Sequence, residues 1–134
     1  MKTLHVKIDW CDNNFAAVTT DNELLHGMVI ATAKTYNGLL VELRKAIATH
    51  IADDDNVEKW VHDGTYEFDA ELGTAALLRQ ASQYTTLAAI SHATGINQTL
   101  LSHYATGLKH PREKQRTRII EGLHNIGQTF LAIK

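Results

Sequence analysis

Between Thr86 and Pro111 the chain reads T-L-A-A-I-S-H-A-T-G-I-N-Q-T-L-L-S-H-Y-A-T-G-L-K-H-P, and no other stretch limits the fold as tightly. Thr85 or Thr86 offers a hydroxyl to cap a helix over residues 87–94, with Ile90 and Ala93 inward at helical spacing. Gly95 ends that helix, because glycine enters the left-handed C-cap conformation without a steric penalty. Ile96 is expected to plug the space between two helices, and Asn97 to cap the next, from Gln98 to Thr106. Leu101 and Tyr104 lie three apart and point to the core. That leaves Gln98, Thr99, Ser102 and His103 on the other side. Gly107 and Pro111 supply the stop. Two short helices joined by a tight turn form a helix-turn-helix.

The flanks extend this into a four-helix segment. Gly73 marks a junction, and Thr74 can cap a helix through Ala75, Leu78 and Ala81. After Pro111 a last helix carries the stripe Ile119, Ile120, Leu123 and Ile126, fit for core or subunit contact, and Gly127 is expected to end it. Thr129–Ile133 is β-prone and reads as an added strand.

Residues 1–72 have a different rhythm. Leu4, Val6, Ile8 and Trp10 alternate with His5, Lys7, Asp9 and Cys11, which predicts a strand with one buried face. Asp12-Asn13-Asn14 supplies turn chemistry, and Phe15–Thr20 returns as a second strand of a hairpin. Met28–Thr32 is a third β-prone run. From about Tyr36, Leu39, Leu40, Leu43, Ile47 and Ile51 recur at helical spacing and dissolve into the acidic loop Asp53–Asn56. Tyr66–Asp69 alternates again. The fold class is therefore α+β: a small βββαβ sheet with one helix over residues 1–72, then an all-α segment over 73–134.

Charge follows the same boundary. Residues 1–73 hold six lysines and arginines against thirteen acids, a net of -7. Residues 74–134 hold seven against two, a net of +5, and together they give the chain its -2. Opposite signs suggest modules with different partners, the basic one able to approach a polyanion.

Other classes are excluded by what is missing. One cysteine, Cys11, leaves no internal disulfide framework and fits a reducing cytosol. No apolar run is long enough to span a bilayer, and charges in M-K-T-L-H-V-K-I-D-W argue against an export signal, so a cytoplasmic location without membrane partners is expected. The eight histidines lack metal-ligand spacing, and no nucleophile elbow, Walker loop or dinucleotide fingerprint occurs. Asp9, Asp12 and Asp53–Asp55 could bind a hard cation if they converged; otherwise they are a hairpin turn and a solvated loop. No enzyme and no cofactor is expected.

DNA binding is the leading reading. In a helix-turn-helix the first residues of the second helix reach base edges in the major groove. Gln98 can pair in bidentate fashion with adenine, and Thr99 or Ser102 can bond bases or pack on a thymine methyl. His103 has the length to reach a phosphate or a guanine. The same polar face on an ordinary four-helix domain would be solvent surface. Three features favour DNA: the length of the T-G-I-N-Q turn, Lys109 in the G-x-K-H-P exit, and Lys114, Arg116 and Arg118 at the start of the last helix. Cations there oppose the helix dipole, which suggests that they answer to a phosphate backbone.

The segment from Ile90 to Pro111 resembles the Xre/Cro repressor-type helix-turn-helix, with Gly95, Ile96, Gln98, Ser102, Gly107 and Pro111 where that pattern expects them. The resemblance implies base reading by Gln98, Thr99, Ser102 and His103. It implies phosphate-side contacts from Lys109 and Arg112, and the contact set is completed by the cap residues Thr86 and Asn97 and by Lys114 and Arg116. Leu87 stands where that family often has a phosphate-contacting glutamine, Ala105 where it often has a structural glutamate, and Ser91 replaces the usual alanine. A strand-strand-strand-helix-strand domain ahead of such a module is similar to the HicB-type antitoxins of toxin–antitoxin operons. In that family the first half is a degraded ribonuclease H fold without nuclease activity that blocks a small HicA-type mRNA-cleaving toxin. The second half binds the operon's operator as a dimer or higher oligomer. An acidic first half suits a basic partner. The expected function is antitoxin and autorepressor. Alternatives are a stand-alone regulator whose first domain senses a ligand or oligomerises, and a metal-dependent nuclease using Asp9.

Overall fold

Side chains of the first strand, β1 (Lys2–Cys11), alternate as its sequence does, with Leu4, Val6 and Ile8 buried and His5, Lys7 and Asp9 outward. The chain then reverses through Asp12 and Asn13, both left-handed at φ 51° and 60°, as a two-residue hairpin turn requires. Cys11 pairs with Asn14 across it, opening β2 (Asn14–Thr19). A one-turn helix, α1 (Asn22–Leu25), precedes β3 (Ile30–Ala33), which pairs antiparallel with β2. This strand starts two residues later than its β-prone run suggested. The reason is Thr19, a buried polar residue whose hydroxyl accepts the Val29 N–H at 2.9 Å and so takes the place of a ladder bond.

Thr35 caps α2 (Tyr36–Ile51) by accepting the Gly38 N–H at 3.0 Å. Leu39, Leu43, Ile47 and Ile51, four apart, are buried, and α2 packs on β2 and β3. After the one-turn α3 (Lys59–His62), β4 (Tyr66–Leu72) runs parallel to β1, and the sheet order is β3-β2-β1-β4. The two one-turn helices are additions to the expected βββαβ order; each is too short to leave a periodic signal.

The computed structural model describes residues 1–134. It is an α+β protein with a four-stranded mixed sheet and seven helices. Main-chain contacts divide it into two compact units, Met1–Gly73 and Thr74–Lys134. No helix is long and apolar enough to cross a membrane.

In the first unit the acidic loop is tied rather than loose. Asp54 takes a hydrogen bond from His26 Nδ1 at 2.7 Å and one from the Asn56 N–H at 3.0 Å, while His62 Nε2 donates to the Asp54 carbonyl at 2.8 Å. The His26 bond, with help from Asn56, holds the Asp54 carboxyl below the ordinary carboxylate range. A depressed folded-state pKa contributes stability above the unfolded value and loses it as pH falls through the folded one. Thermal unfolding is therefore expected to lose stability as pH falls below about 4, and Asp54→Asn should flatten that limb; an unchanged profile would remove Asp54 from the account. Asp9, Asp12 and Asp53–Asp55 do not converge with other ligands, and no group of three or more His, Cys, Asp or Glu side chains could hold a metal ion.

The second unit contains α4 (Thr74–Ala81), α5 (Leu87–Thr94), α6 (Gln98–Thr106) and α7 (Glu113–Leu131). Leu78, Ile90, Ile96, Leu101, Tyr104, Ala105 and Ile119 form its core. Gly122 is buried where α5 meets α7; a methyl group on it would overlap Thr94 Cγ2 and stand 3.7 Å from the Ala93 carbonyl carbon. Ala93 itself is exposed, not inward as its spacing suggested.

The tail also departs from expectation. Thr129–Leu131 is helical, not a strand, and α7 passes through Gly127. Extending an existing helix adds one hydrogen bond per residue fixed, which outweighs the β-preference of a short run. A glycine inside a helix costs about 1 kcal/mol against alanine, too little to stop a helix already anchored by Ile119.

Candidate nucleic-acid interface

The geometry between α5 and α6 follows from local chemistry. Thr86 caps α5, its hydroxyl accepting the Ala89 N–H at 3.0 Å. Gly95 ends α5 in the left-handed region at φ 72°, and its N–H returns to the Ser91 carbonyl at 2.8 Å. Ile96 is buried beneath the turn. Thr94 Oγ1 accepts the Ile96 N–H at 3.1 Å, and the Ser91 hydroxyl donates to the Ile96 carbonyl. Asn97 caps α6 by accepting the Thr99 N–H at 2.7 Å. The angle between the two helices is thus set by hydrogen bonding across the three-residue connection as well as by packing.

Along α6, Leu101, Tyr104 and Ala105 face the core. Gln98 and Thr99 are exposed at its N-terminus, and Ser102 and His103 are half-buried one turn on. The four expected base-reading residues therefore share the side of α6 away from the core, with Gln98 and Thr99 the most accessible. Ser102 also lines a shallow cleft of about 270 Å³ with Arg79, Ser82, Gln83, Leu87, Ala105 and Thr106. Leu87 packs on the core. Its apolar side chain offers no phosphate contact from the first turn of α5.

The cations divide into two groups. Lys109, Arg112 and Lys114 are exposed in and just after the connection from α6 to α7, beside exposed His110 and outside any ion pair. Arg116 and Arg118 are employed within the unit. Arg116 Nη1 donates to Thr74 Oγ1 at 2.9 Å in a half-buried setting. Arg118 donates to the Thr94 carbonyl at 2.9 Å and to Gln115 Oε1 at 2.7 Å. Of the cations expected to hold phosphate, Arg116 and Arg118 are thus engaged within the unit, while Lys109, Arg112 and Lys114 are exposed. Arg118 instead closes the carbonyl end of α5, where a cation is favoured.

Arg79 plays the matching part for α6, its Nε donating to the Ala105 carbonyl at 2.8 Å. Sequence reasoning missed both roles. No local pattern signals them, because each arginine reaches a helix end more than twenty residues away. They stiffen the two helices whose mutual angle presents Gln98 and Thr99.

No protein-family model, curated protein or solved structure matches this chain.

Proposed function

We propose that the chain is a HicB-like antitoxin and transcriptional autorepressor, with two binding activities and no catalysis. The α5–α6 pair acts as a helix-turn-helix that lays the start of α6 in the major groove of operator DNA, while Lys109, Arg112 and Lys114 hold phosphates. The single observation that carries the DNA reading is α6 itself. Its N-terminal polar residues Gln98 and Thr99 are exposed on a helix pinned at both ends, with unpaired cations directly after it. The antitoxin half is supported by the resemblance, by the parallel β1–β4 pair joined through α2 as in a reduced ribonuclease H-like sheet, and by a first unit that carries -7. A basic mRNA-cleaving toxin is the partner such a surface suits.

Fluorescence anisotropy against the DNA immediately upstream of its own gene tests the repressor half. Salt-dependent binding that discriminates against scrambled DNA is expected, and equal affinity for both would refute it. Co-expression with the neighbouring reading frame tests the antitoxin half; a stable complex with a small basic protein is expected, and no complex would refute it. Phosphate contact makes a further prediction. Arg112→Ala with Lys114→Ala should weaken binding to every sequence and flatten the salt dependence by about 0.9 in slope per lost contact. A slope identical to that of the parent would remove these residues from the interface.

A further inference from the structure

The cleft beside Ser102 has a lining that base reading does not account for. It is bounded by α4, α5 and α6 and has a volume of about 270 Å³, near the lower end for small-molecule sites. Leu87 and Ala105 give it apolar surface, while Arg79, Gln83 and Ser102 give it hydrogen-bond donors. Arg79 is the one cation of the lining, which contains no acid. The only acids in residues 74–134 are Glu113 and Glu121, both exposed on α7.

Fixed donors meet apolar surface here. The bond from Arg79 Nε to the Ala105 carbonyl, 2.8 Å in a half-buried setting, holds the guanidinium in place. That group is charged at every ordinary pH and carries five N–H donors. Neither the Ser102 hydroxyl nor the Gln83 amide has a partner within the chain. The Ser82 and Thr106 hydroxyls differ, since they donate to the Leu78 and His103 carbonyls. A half-buried cation is stabilised by an anion that accepts its hydrogen bonds, and the second unit places none of its own in the cleft. Leu87 and Ala105 call in addition for a ligand with an apolar part, which an inorganic ion lacks.

We propose that the cleft binds a small aliphatic carboxylate, and that this ligand opposes DNA binding. Its carboxylate accepts hydrogen bonds from Arg79, Ser102 and Gln83, and its aliphatic part covers Leu87 and Ala105. A dianion such as a phosphate ester fits less well, because a second charge would be removed from water without a second cation to meet it. The regulatory step rests on the helix-turn-helix reading, in which Ser102 faces the bases. A bound carboxylate occupies the Ser102 hydroxyl and sets a negative charge beside α6, which repels the DNA phosphates.

Carboxylate binding is read without DNA, so its failure and the failure of the repressor reading are separable. Titration of the full chain with sodium butyrate at constant ionic strength, followed by amide NMR, is expected to give saturable shifts at Ser82, Leu87, Ser102 and Ala105. Butyramide, uncharged and of nearly the same shape, should give none at equal concentration. Affinity should rise about fourfold per methylene from acetate to butyrate as apolar surface is covered, and inorganic phosphate should bind more weakly than butyrate. Arg79→Gln should abolish the shifts. Because Arg79 also ties α4 to α6, the second variant is Thr106→Trp, at an exposed position whose enlarged side chain fills the cleft. It should weaken butyrate binding at least about tenfold with helical circular dichroism unchanged. Saturating butyrate should weaken binding to the upstream DNA at least about fivefold in the parent and have no effect in Thr106→Trp. A parent that binds butyrate but no DNA would sink the repressor reading while supporting the site. Absence of saturable shifts, equal binding of butyramide or phosphate, unaltered butyrate affinity in Thr106→Trp, or DNA affinity indifferent to butyrate would overturn the proposal.

Discussion

Leu101→Ala is expected to unfold residues 74–134 at ambient temperature or close to it. Leu101 is fully buried among Leu78, Ile90, Ile96, Tyr104, Ala105 and Ile119. Truncating such a leucine removes its transfer free energy and leaves a cavity, together about 2–5 kcal/mol. A four-helix unit of this size rarely holds more than about 3–5 kcal/mol, so one truncation can consume its whole stability. The first unit is built on Leu4, Val6, Ile8, Leu39, Leu43 and Ile47, none of which belongs to that cluster. Urea unfolding followed by helical circular dichroism and by amide exchange should therefore show the helical segment opening early while protected amides in β1 and β2 persist. Loss of both sets of signals in one step would mean that the two units are not independently stable.

Gln98→Ala is expected to leave folding untouched and to alter recognition. The side chain is exposed, so the melting temperature should hold. A glutamine at the start of a helix in the major groove can donate to and accept from one adenine, and a good bidentate pair discriminates by about 1–3 kcal/mol. Affinity for the preferred operator should fall about five- to 150-fold, with adenine preference lost at one position of each half-site and the salt dependence preserved. The contrast with Arg112→Ala and Lys114→Ala is diagnostic, since loss of a phosphate contact weakens all sequences alike. Unchanged operator affinity in Gln98→Ala would mean that this side of α6 is not the reading face.

The parts of the molecule legible from residues alone share one property: their causes are local. The alternation of Leu4, Val6 and Ile8 marks a one-sided strand because successive side chains on a strand point to opposite faces. Leu39, Leu43, Ile47 and Ile51 mark a helix by the same reasoning at a different period. Thr86, Gly95, Asn97 and Gly107 act within a few residues of themselves, through a capping hydroxyl or amide or a left-handed backbone. The turn between α5 and α6 and the outward position of Gln98 and Thr99 are therefore written in the residues themselves.

What the residue order does not reveal depends on partners far along the chain. Arg116 and Arg118 resemble phosphate ligands when their only visible context is the start of a helix. Their partners, Thr74 and Thr94, lie 42 and 24 residues away. Arg79 likewise meets Ala105 across 26 residues. Thr129–Leu131 is helical because a helix anchored at Ile119 extends through it. The parallel pairing of β1 with β4 needs α2 to cross the sheet before the two strands can meet. Propensity and capping act over one or two helical turns and so are written in the order of residues. The work done by a long charged side chain, and the fate of a weak segment, belong to whatever the folded chain brings beside it.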